Sequence, residues 1–185
     1  VELINNFSLE GINKSPAIFD ETKMKWLSGE YIKAMTDEEL VEKADKFFRQ
    51  SKVYGKYDLL KIASLLKTRI EIFSEIPDKI NFLEEFGEYD IALYTHKKMK
   101  TDAEIAKVVL PKAREAIASL KEFTFDSVHD AMMDLVAELG VKNGQVFWCV
   151  RVAISGKEST PGGVMEIAGL LGKEETLRRL DFSID

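Results

Sequence analysis

Cysteine and histidine are nearly absent from this sequence of 185 residues, and their scarcity excludes several kinds of site. The single cysteine, Cys149, cannot form a disulfide within the chain or supply a metal site that needs several cysteines. The two histidines, His96 and His129, are far apart, and neither has acidic residues or cysteines clustered around it. We therefore expect no metal site. Because Cys149 lies in an apolar run over residues 146–150, we predict that it belongs to the core.

Long apolar runs and targeting segments are also missing. No apolar run approaches the roughly 20 residues that a membrane-spanning helix needs, so we expect no membrane partner. Residues 1–6 contain neither a basic region nor a cleavage pattern, so no secretory signal is predicted and a cytoplasmic location is expected. The sequence does not begin with methionine, and we expect it to be an internal piece of a longer polypeptide.

Positive charge is in deficit. The chain has 26 lysines and arginines against 32 aspartates and glutamates, a formal net charge of −6. This balance argues against a general, sequence-blind nucleic-acid binder, whose affinity comes from a basic surface. It is compatible with a protein that grips RNA with a few placed arginines. Because fields beyond about 8–10 Å are screened at physiological salt, local patches decide between these cases.

Sustained alternation of apolar and polar residues, which is typical of strands, occurs nowhere in the sequence. Apolar residues instead recur at spacings of three and four, the period of a helix with one buried face. The sequence therefore predicts an all-α fold. A connector over residues 88–100 divides it into two consecutive helical subdomains, residues 1–90 and 91–185, which together form a helical bundle or cage.

Apolar spacing predicts two long helices in the first half. One begins at Asp20, and four residues at helical spacing are expected to form its inward face: Met24, Leu27, Tyr31 and Met35. The other extends over residues 57–73 and includes Arg69 within its apolar series. Arg69 is thus predicted to lie inside a helix.

Capping patterns predict where further helices begin and end. Thr36 with Glu39 and Thr101 with Glu104 are capping-box patterns. Residues 123–139 predict an amphipathic helix that Gly140 ends, and residues 173–180 predict a short final helix.

Residues 145–172 combine an apolar helical run, which carries Arg151, with a polar loop and a second helix. Thr160 and Pro161 predict the start of that second helix, since threonine caps helices and proline suits the first helical position. A cation that faces the free amides of a helix start can bind an anionic or planar polar ligand. The pattern alone favours the alternative, an arginine whose stem lies on the core and whose charged end reaches solvent.

Residues 96–100, His-Lys-Lys-Met-Lys, form a basic segment of the connector. Such a segment can contact phosphate, but a solvated loop is the favoured interpretation. The sequence lacks a glycine-rich phosphate loop of the required spacing, and its carboxylates are spread over helix surfaces. We find no self-contained active site.

Two motifs near opposite ends of the chain carry a family resemblance. The first consists of Phe7-Ser8-Leu9-Glu10, Lys14-Ser15-Pro16-Ala17-Ile18-Phe19-Asp20, Lys23, Trp26-Leu27, Gly29 and Tyr31-Ile32. The second consists of Arg151-Val152-Ala153, Gly156, Thr160-Pro161-Gly162, Leu170-Leu171-Gly172-Lys173-Glu174-Glu175 and Leu177-Arg178-Arg179-Leu180. In this order, over nearly the whole chain, they resemble the part of bacterial-type glutamyl-tRNA synthetases that follows the catalytic half.

The resemblance implies that this chain is the carboxy-terminal, all-helical anticodon-binding region of such a synthetase. The catalytic domain, with its HIGH-type motif and KMSKS-type lysine loop, is absent from this chain. The parent enzyme would attach glutamate to tRNA(Glu) using ATP and Mg²⁺, and this region would need no cofactor of its own. Its implied partners are the anticodon stem-loop of tRNA(Glu) and the catalytic domain, and a monomer is expected.

The resemblance also implies which residues contact the anticodon. In the first subdomain an arginine in the motif matched by residues 67–70 reads a base, and this arginine corresponds to Arg69. In the second subdomain the matching positions are Arg151, Thr160, Pro161 and Gly163. Gly163 departs from the larger apolar residue that relatives often have, and Val164 is expected to supply that apolar contact instead.

A second hypothesis is a freestanding helical module that binds a protein partner and no RNA. It predicts an exposed apolar groove and binding that is indifferent to Arg69 and Arg151. A complete small enzyme is nearly excluded by the missing motifs.

Overall fold

The computed structural model describes residues 2–9 and 18–184. The α-helices in these residues are, in chain order, α1 Glu2–Asn5, α2 Glu21–Ala34, α3 Asp37–Gln50, α4 Leu59–Leu66, α5 Ile76–Ile80, α6 Ala103–Ser119, α7 Phe125–Leu139, α8 Asn143–Ser155 and α9 Val164–Ile184. Short 3₁₀ helices lie at Phe73–Glu75, Asn81–Leu83 and Ile91–Tyr94. The described residues contain no strand, and the predicted all-α fold is confirmed. Glu10 and residues 14–17 of the first motif lie outside the described residues.

The capping box predicted at Thr36 and the helix end predicted at Gly140 both form. The Thr36 hydroxyl accepts from the backbone N–H of Glu39, whose carboxylate accepts from the backbone N–H of Thr36. Thr124 caps α7, and Gly140 ends that helix in the left-handed conformation, with φ of 63°. These bonds satisfy amides that a helix start otherwise leaves without partners.

The predicted cap at Thr101 is wrong by one residue. Asp102 caps α6, and its carboxylate accepts from the backbone N–H of Ile105. The backbone of Thr101 is already bonded to His96, donating its N–H to the His96 carbonyl and accepting from the His96 N–H. This bridge fixes Thr101 outside the helix, so the next residue becomes the cap.

The long helix predicted over residues 57–73 is also wrong in length, because α4 ends at Leu66. The Lys67 ammonium donates to the Met35 carbonyl at 3.0 Å and lies 2.9 Å from an Asp37 carboxylate oxygen. Ile70 is buried three residues further on. These contacts, from a residue that is distant in sequence, turn the chain away from the helix and leave Arg69 outside it.

The predicted inward face of α2 is largely wrong. Met24, Leu27 and Tyr31 are exposed, whereas Gly29 and Ile32 are buried. A Cβ added to Gly29 would lie 3.4 Å from the Cα of Glu71. The helix therefore turns its small residue toward that backbone and leaves the apolar stripe outside.

The helices after the connector pack mainly on one another, as do α3, α4 and α5 before it. Cys149 of α8 lies in the hydrophobic core, as predicted, and burial raises the pKa of its thiol to about 12. The last helix, α9, is interrupted at Gly172, whose φ is 78°, and continues beyond the predicted final helix to Ile184. None of the helices among the described residues is both long enough and apolar enough to span a bilayer.

Arg179 joins the two groups of helices. Its side chain is 2% exposed, and its Nη1 donates to the carbonyls of Phe82 and Ile154 at 2.9 and 2.8 Å. Its Nε donates to Glu175 at 2.8 Å. One buried guanidinium thus connects α9 to both halves of the chain.

Candidate nucleic-acid interface

A cleft of about 690 Å³ brings together residues from three separate segments. Arg69 contributes from the turn after α4, and Thr160 and Pro161 contribute from the loop before α9. The rest of the lining comes from α2, from the residues between α4 and the end of α5, and from the same loop before α9: Trp26, Gly29, Glu30, Lys33, Thr68, Ile70, Glu71, Glu75, Asp78, Lys79 and Ser159. Three of the residues implied by the resemblance therefore line one cavity, although Arg69 lies about 90 residues before Thr160 and Pro161 in the sequence.

Arg69 is exposed and held by buried neighbours. Its backbone N–H donates to the Leu66 carbonyl at 2.7 Å, and Lys67 and Ile70 anchor the turn on either side. Within the described residues its guanidinium has no ion pair and no hydrogen-bond partner. Five N–H donors on a planar group are thus available at the edge of the cleft.

The loop over residues 157–163 is not the helix start that Thr160 and Pro161 predict. Helix α9 begins only at Val164. The Thr160 hydroxyl donates to the Gly162 carbonyl at 2.7 Å, which makes it part of a turn. The backbone N–H of Gly163 donates to the Glu166 carboxylate at 3.0 Å. An amide that the prediction left free for a ligand is therefore bonded within the protein.

Gly162 allows this loop to approach α4. A Cβ at this position would lie 2.8 Å from the Cβ of Glu166 and 3.2 Å from Leu65 Cδ1. Because the first distance is shorter than real Cβ contacts, a larger residue would displace the loop. The close approach brings residues 159–161 to the cleft.

Val164 lies in the core with 2% of its surface exposed. Its side chain faces the core in this structure, and the expected apolar contact between Val164 and a base stays a prediction. Gly163 is partly exposed.

Arg151 lies outside the cleft lining and is bonded within the protein. Its guanidinium carbon lies 4.5 Å from the centre of the Trp148 ring, and Nη2 donates to the Glu158 carbonyl at 2.7 Å. Burial lowers the pKa of the Arg151 guanidinium, while the charge of Glu158 acts in the opposite direction. Its Nε is buried without a hydrogen-bond partner among the described residues. Arg151 therefore supports the loop next to Ser159 and keeps its buried Nε donor unused.

Sequence reasoning missed Trp26, Lys33 and Lys79 in the cleft. Trp26 is 55% exposed on α2, and an exposed tryptophan beside a cation is typical of a binding surface. No pattern local to the sequence could show that α2, α5 and the loop before α9 meet. The cleft has three basic side chains and four carboxylates. This balance suits the neutral edge or face of a base better than a phosphate.

The chain is similar to known glutamate–tRNA ligases in sequence and in fold. It is 47% identical over 189 residues to the enzyme of Clostridium novyi (strain NT), which covers all of this chain and 38% of that protein. It is 49% identical over 184 residues to the enzyme of Lachnoclostridium phytofermentans, covering all of this chain and 37% of that protein. The chain thus spans less than two fifths of the length of these relatives.

A solved structure shows the same fold. The glutamate tRNA ligase from Elizabethkingia meningosepticum CCUG26117, crystallised in complex with its amino acid, matches with a TM-score of 0.81 and 26% sequence identity. The match covers 99% of this chain and 36% of that chain. The fold is therefore that of a helical domain of tRNA ligases.

The family itself follows from a match over most of the chain. Residues 38–184 match the family described as "anticodon binding domain". The chain belongs to this family, and the resemblance drawn from the two end motifs is confirmed. Membership favours the anticodon-binding hypothesis over a freestanding protein-interaction module.

Proposed function

We propose that this chain is the anticodon-binding region of a glutamate–tRNA ligase and that it holds the anticodon loop of tRNA(Glu). The meeting of Arg69 with Thr160 and Pro161 in one cleft carries the proposal. In a single-stranded loop the bases can be splayed out and read on their edges, which is not possible in the deep groove of an A-form helix. A cleft next to an exposed guanidinium fits such a base.

Each residue has a distinct proposed role. Arg69 donates to the edge of the third anticodon base, and the turn at Thr160 and Pro161 offers backbone groups and a rigid wall. Arg151 holds this turn through Glu158 and contributes its unused Nε when the loop binds. The backbone of Gly163 lies at the end of the same loop, and Val164 anchors it from the core.

The remaining functions belong to the parent protein. We propose that it works as a monomer in the cytoplasm, with a catalytic domain that attaches glutamate to tRNA(Glu) using ATP and Mg²⁺. The division of the present region at residue 90 into two subdomains is part of the same proposal. It is supported by the packing of α6, α7, α8 and α9 on one another.

The test is a binding titration of this chain at fixed salt with an anticodon stem-loop for glutamate and with one whose third anticodon base is changed. We expect Arg69→Ala to weaken binding of the first by about 1–3 kcal/mol and to abolish the preference between the two. Arg69→Lys keeps the charge but loses the fork of donors, so it should also lose the preference.

Arg49→Ala is the matched control, because Arg49 is exposed on α3 and is not part of the cleft lining. It should leave affinity and preference unchanged. Failure of the unaltered chain to bind at low salt, or equal binding of both stem-loops, would overturn the proposal.

A further inference from the structure

The connector holds three lysines at the tip of a short hairpin, which we call the lysine turn: Lys97, Lys98 and Lys100. His96 and Thr101 close it through two backbone hydrogen bonds of 3.0 and 3.3 Å. All three lysines are exposed, and none forms an ion pair within the described residues. The turn is thus a local positive patch on a chain with a net charge of −6.

The backbone of the lysine turn is fixed by its surroundings. The Met99 N–H donates to His96 Nδ1 at 3.2 Å, and Gln145 Nε2 donates to the Lys100 carbonyl at 2.9 Å. Lys100 has φ of 56°, a conformation that residues other than glycine seldom adopt. These contacts hold it there, so the three stems extend from a preorganised base and lose less entropy on binding.

A series of direct contacts joins the lysine turn to the cleft. The centres of the His96 and Trp148 rings lie 3.9 Å apart, and the Arg151 guanidinium lies over the same Trp148 ring. Arg151 in turn donates to Glu158, which precedes Ser159 in the cleft wall. Gln145, Trp148 and Arg151 follow one another at intervals of three residues, so they lie along one side of α8.

The cleft and the lysine turn differ in charge and can therefore bind different parts of an RNA. The cleft has more carboxylates than cations and does not attract phosphate. An RNA loop nevertheless carries a phosphate for every base, and neutralising these charges supplies much of its affinity. The lysine turn provides cations without a carboxylate between His96 and Thr101, and the neighbouring Asp102 is engaged in capping α6.

We propose that Lys97, Lys98 and Lys100 bind the phosphate backbone of the RNA whose bases enter the cleft. The proposal rests on the function proposed above and assigns this turn as the electrostatic part of that interface. The lysines contribute affinity without regard to sequence, while Arg69 contributes the preference between bases.

The test is the salt dependence of stem-loop binding, measured from 50 to 200 mM salt for the unaltered chain and for a triple variant, K97A/K98A/K100A. Each phosphate contact that is lost lowers the slope of log affinity against log salt by about 0.7–1. We expect the slope to fall by about 2, so that the unaltered chain loses roughly 15-fold more affinity than the variant over this range. The preference for the unchanged third base should persist.

A second triple variant, K43A/K46A/K56A, changes the net charge by the same amount with exposed lysines of the first half. It should keep the original slope, and K97R/K98R/K100R should keep it as well. Thermal unfolding of each variant checks that the fold is intact.

The outcomes separate this proposal from the proposed function. An unchanged slope in K97A/K98A/K100A, or an equal fall in K43A/K46A/K56A, overturns the role of the lysine turn even where Arg69→Ala abolishes base preference. Binding that Arg69→Ala leaves intact overturns the proposed function, whatever the slope.

Discussion

Arg69 and Arg151 carry the same guanidinium group, but the two halves of the chain surround it differently. Arg69 is exposed beside the cleft and has no side-chain partner among the described residues. Arg151 is half-buried, stacked on Trp148 and bonded to the Glu158 carbonyl. A guanidinium whose hydrogen bonds are unmade can read a ligand, whereas one that is already bonded shapes the protein around the ligand. Substitution of Arg69 should therefore affect RNA binding, whereas substitution of Arg151 should also affect the stability of the protein.

Arg179 is the most deeply buried of the hydrogen-bonded arginines in the described residues, and its removal should cause the largest loss of stability. Arg179→Ala leaves two buried carbonyls, those of Phe82 and Ile154, without their donor. Breaking a buried, bonded charge of this kind costs about 3–5 kcal/mol. We expect that loss in the free energy of unfolding measured by denaturant titration.

The neighbouring Arg178 supplies the control. It donates to the same carboxylate, Glu175, but its side chain is 54% exposed. Arg178→Ala should cost no more than about 1 kcal/mol. Equal losses for the two variants would show that burial does not separate the roles of these arginines.

Acid should weaken the contact of Arg179 with Glu175. Hydrogen bonds from Arg178 first, and then Arg179, lower the pKa of the Glu175 carboxyl to about 2, against the burial that opposes them. A carboxyl whose pKa is depressed in the folded state adds stability above its unfolded pKa of about 4.5 and loses it as the pH falls toward 2. We expect about 2–3 kcal/mol of unfolding free energy to disappear over this range.

Glu175→Gln checks the assignment, because it cannot titrate. Its unfolding free energy should lie below that of the unaltered chain at pH 7, and the two curves should converge toward pH 2. Parallel curves from pH 7 to pH 2 would assign the acid sensitivity to other carboxylates.

The direct comparison of Arg151 with Arg69 has a smaller expected effect on stability. Arg151→Ala removes a hydrogen bond and a cation–π contact and should lower the unfolding free energy by about 1–2 kcal/mol. Arg69→Ala removes no hydrogen bond, ion pair or ring contact within the described residues and should change it by less than about 0.5 kcal/mol. Thermal unfolding of both variants without RNA measures the difference. An equal loss for both variants would break the distinction between a bonded and an available guanidinium.

The sequence predicts features that depend on residues three or four apart. Thr36 and Thr124 cap helices because each contacts a residue within one turn. The end of α4 is different, since it depends on Lys67 reaching Met35, 32 residues away. The face of α2 similarly depends on how Gly29 meets Glu71. Such contacts leave no local periodicity.

The candidate site divides in the same way. The resemblance supplies Arg69, Thr160 and Pro161, but only the fold brings them into one cleft. The burial of Val164 at the first turn of α9 is not visible in the sequence pattern. The sequence predicts a solvated loop at residues 96–100 and does not show the hairpin there, since the aromatic contact of His96 with Trp148 spans 52 residues.

A double-mutant cycle between Arg69 and the third anticodon base tests the central claim most directly. Affinities are measured for the unaltered chain and Arg69→Ala, each with the glutamate stem-loop and with the stem-loop changed at that base. We predict a coupling energy of about 1–3 kcal/mol, because either change alone already removes the shared hydrogen bonds. The same cycle with Arg49→Ala should give no coupling. A coupling energy near zero for Arg69 would contradict direct reading of that base in the cleft.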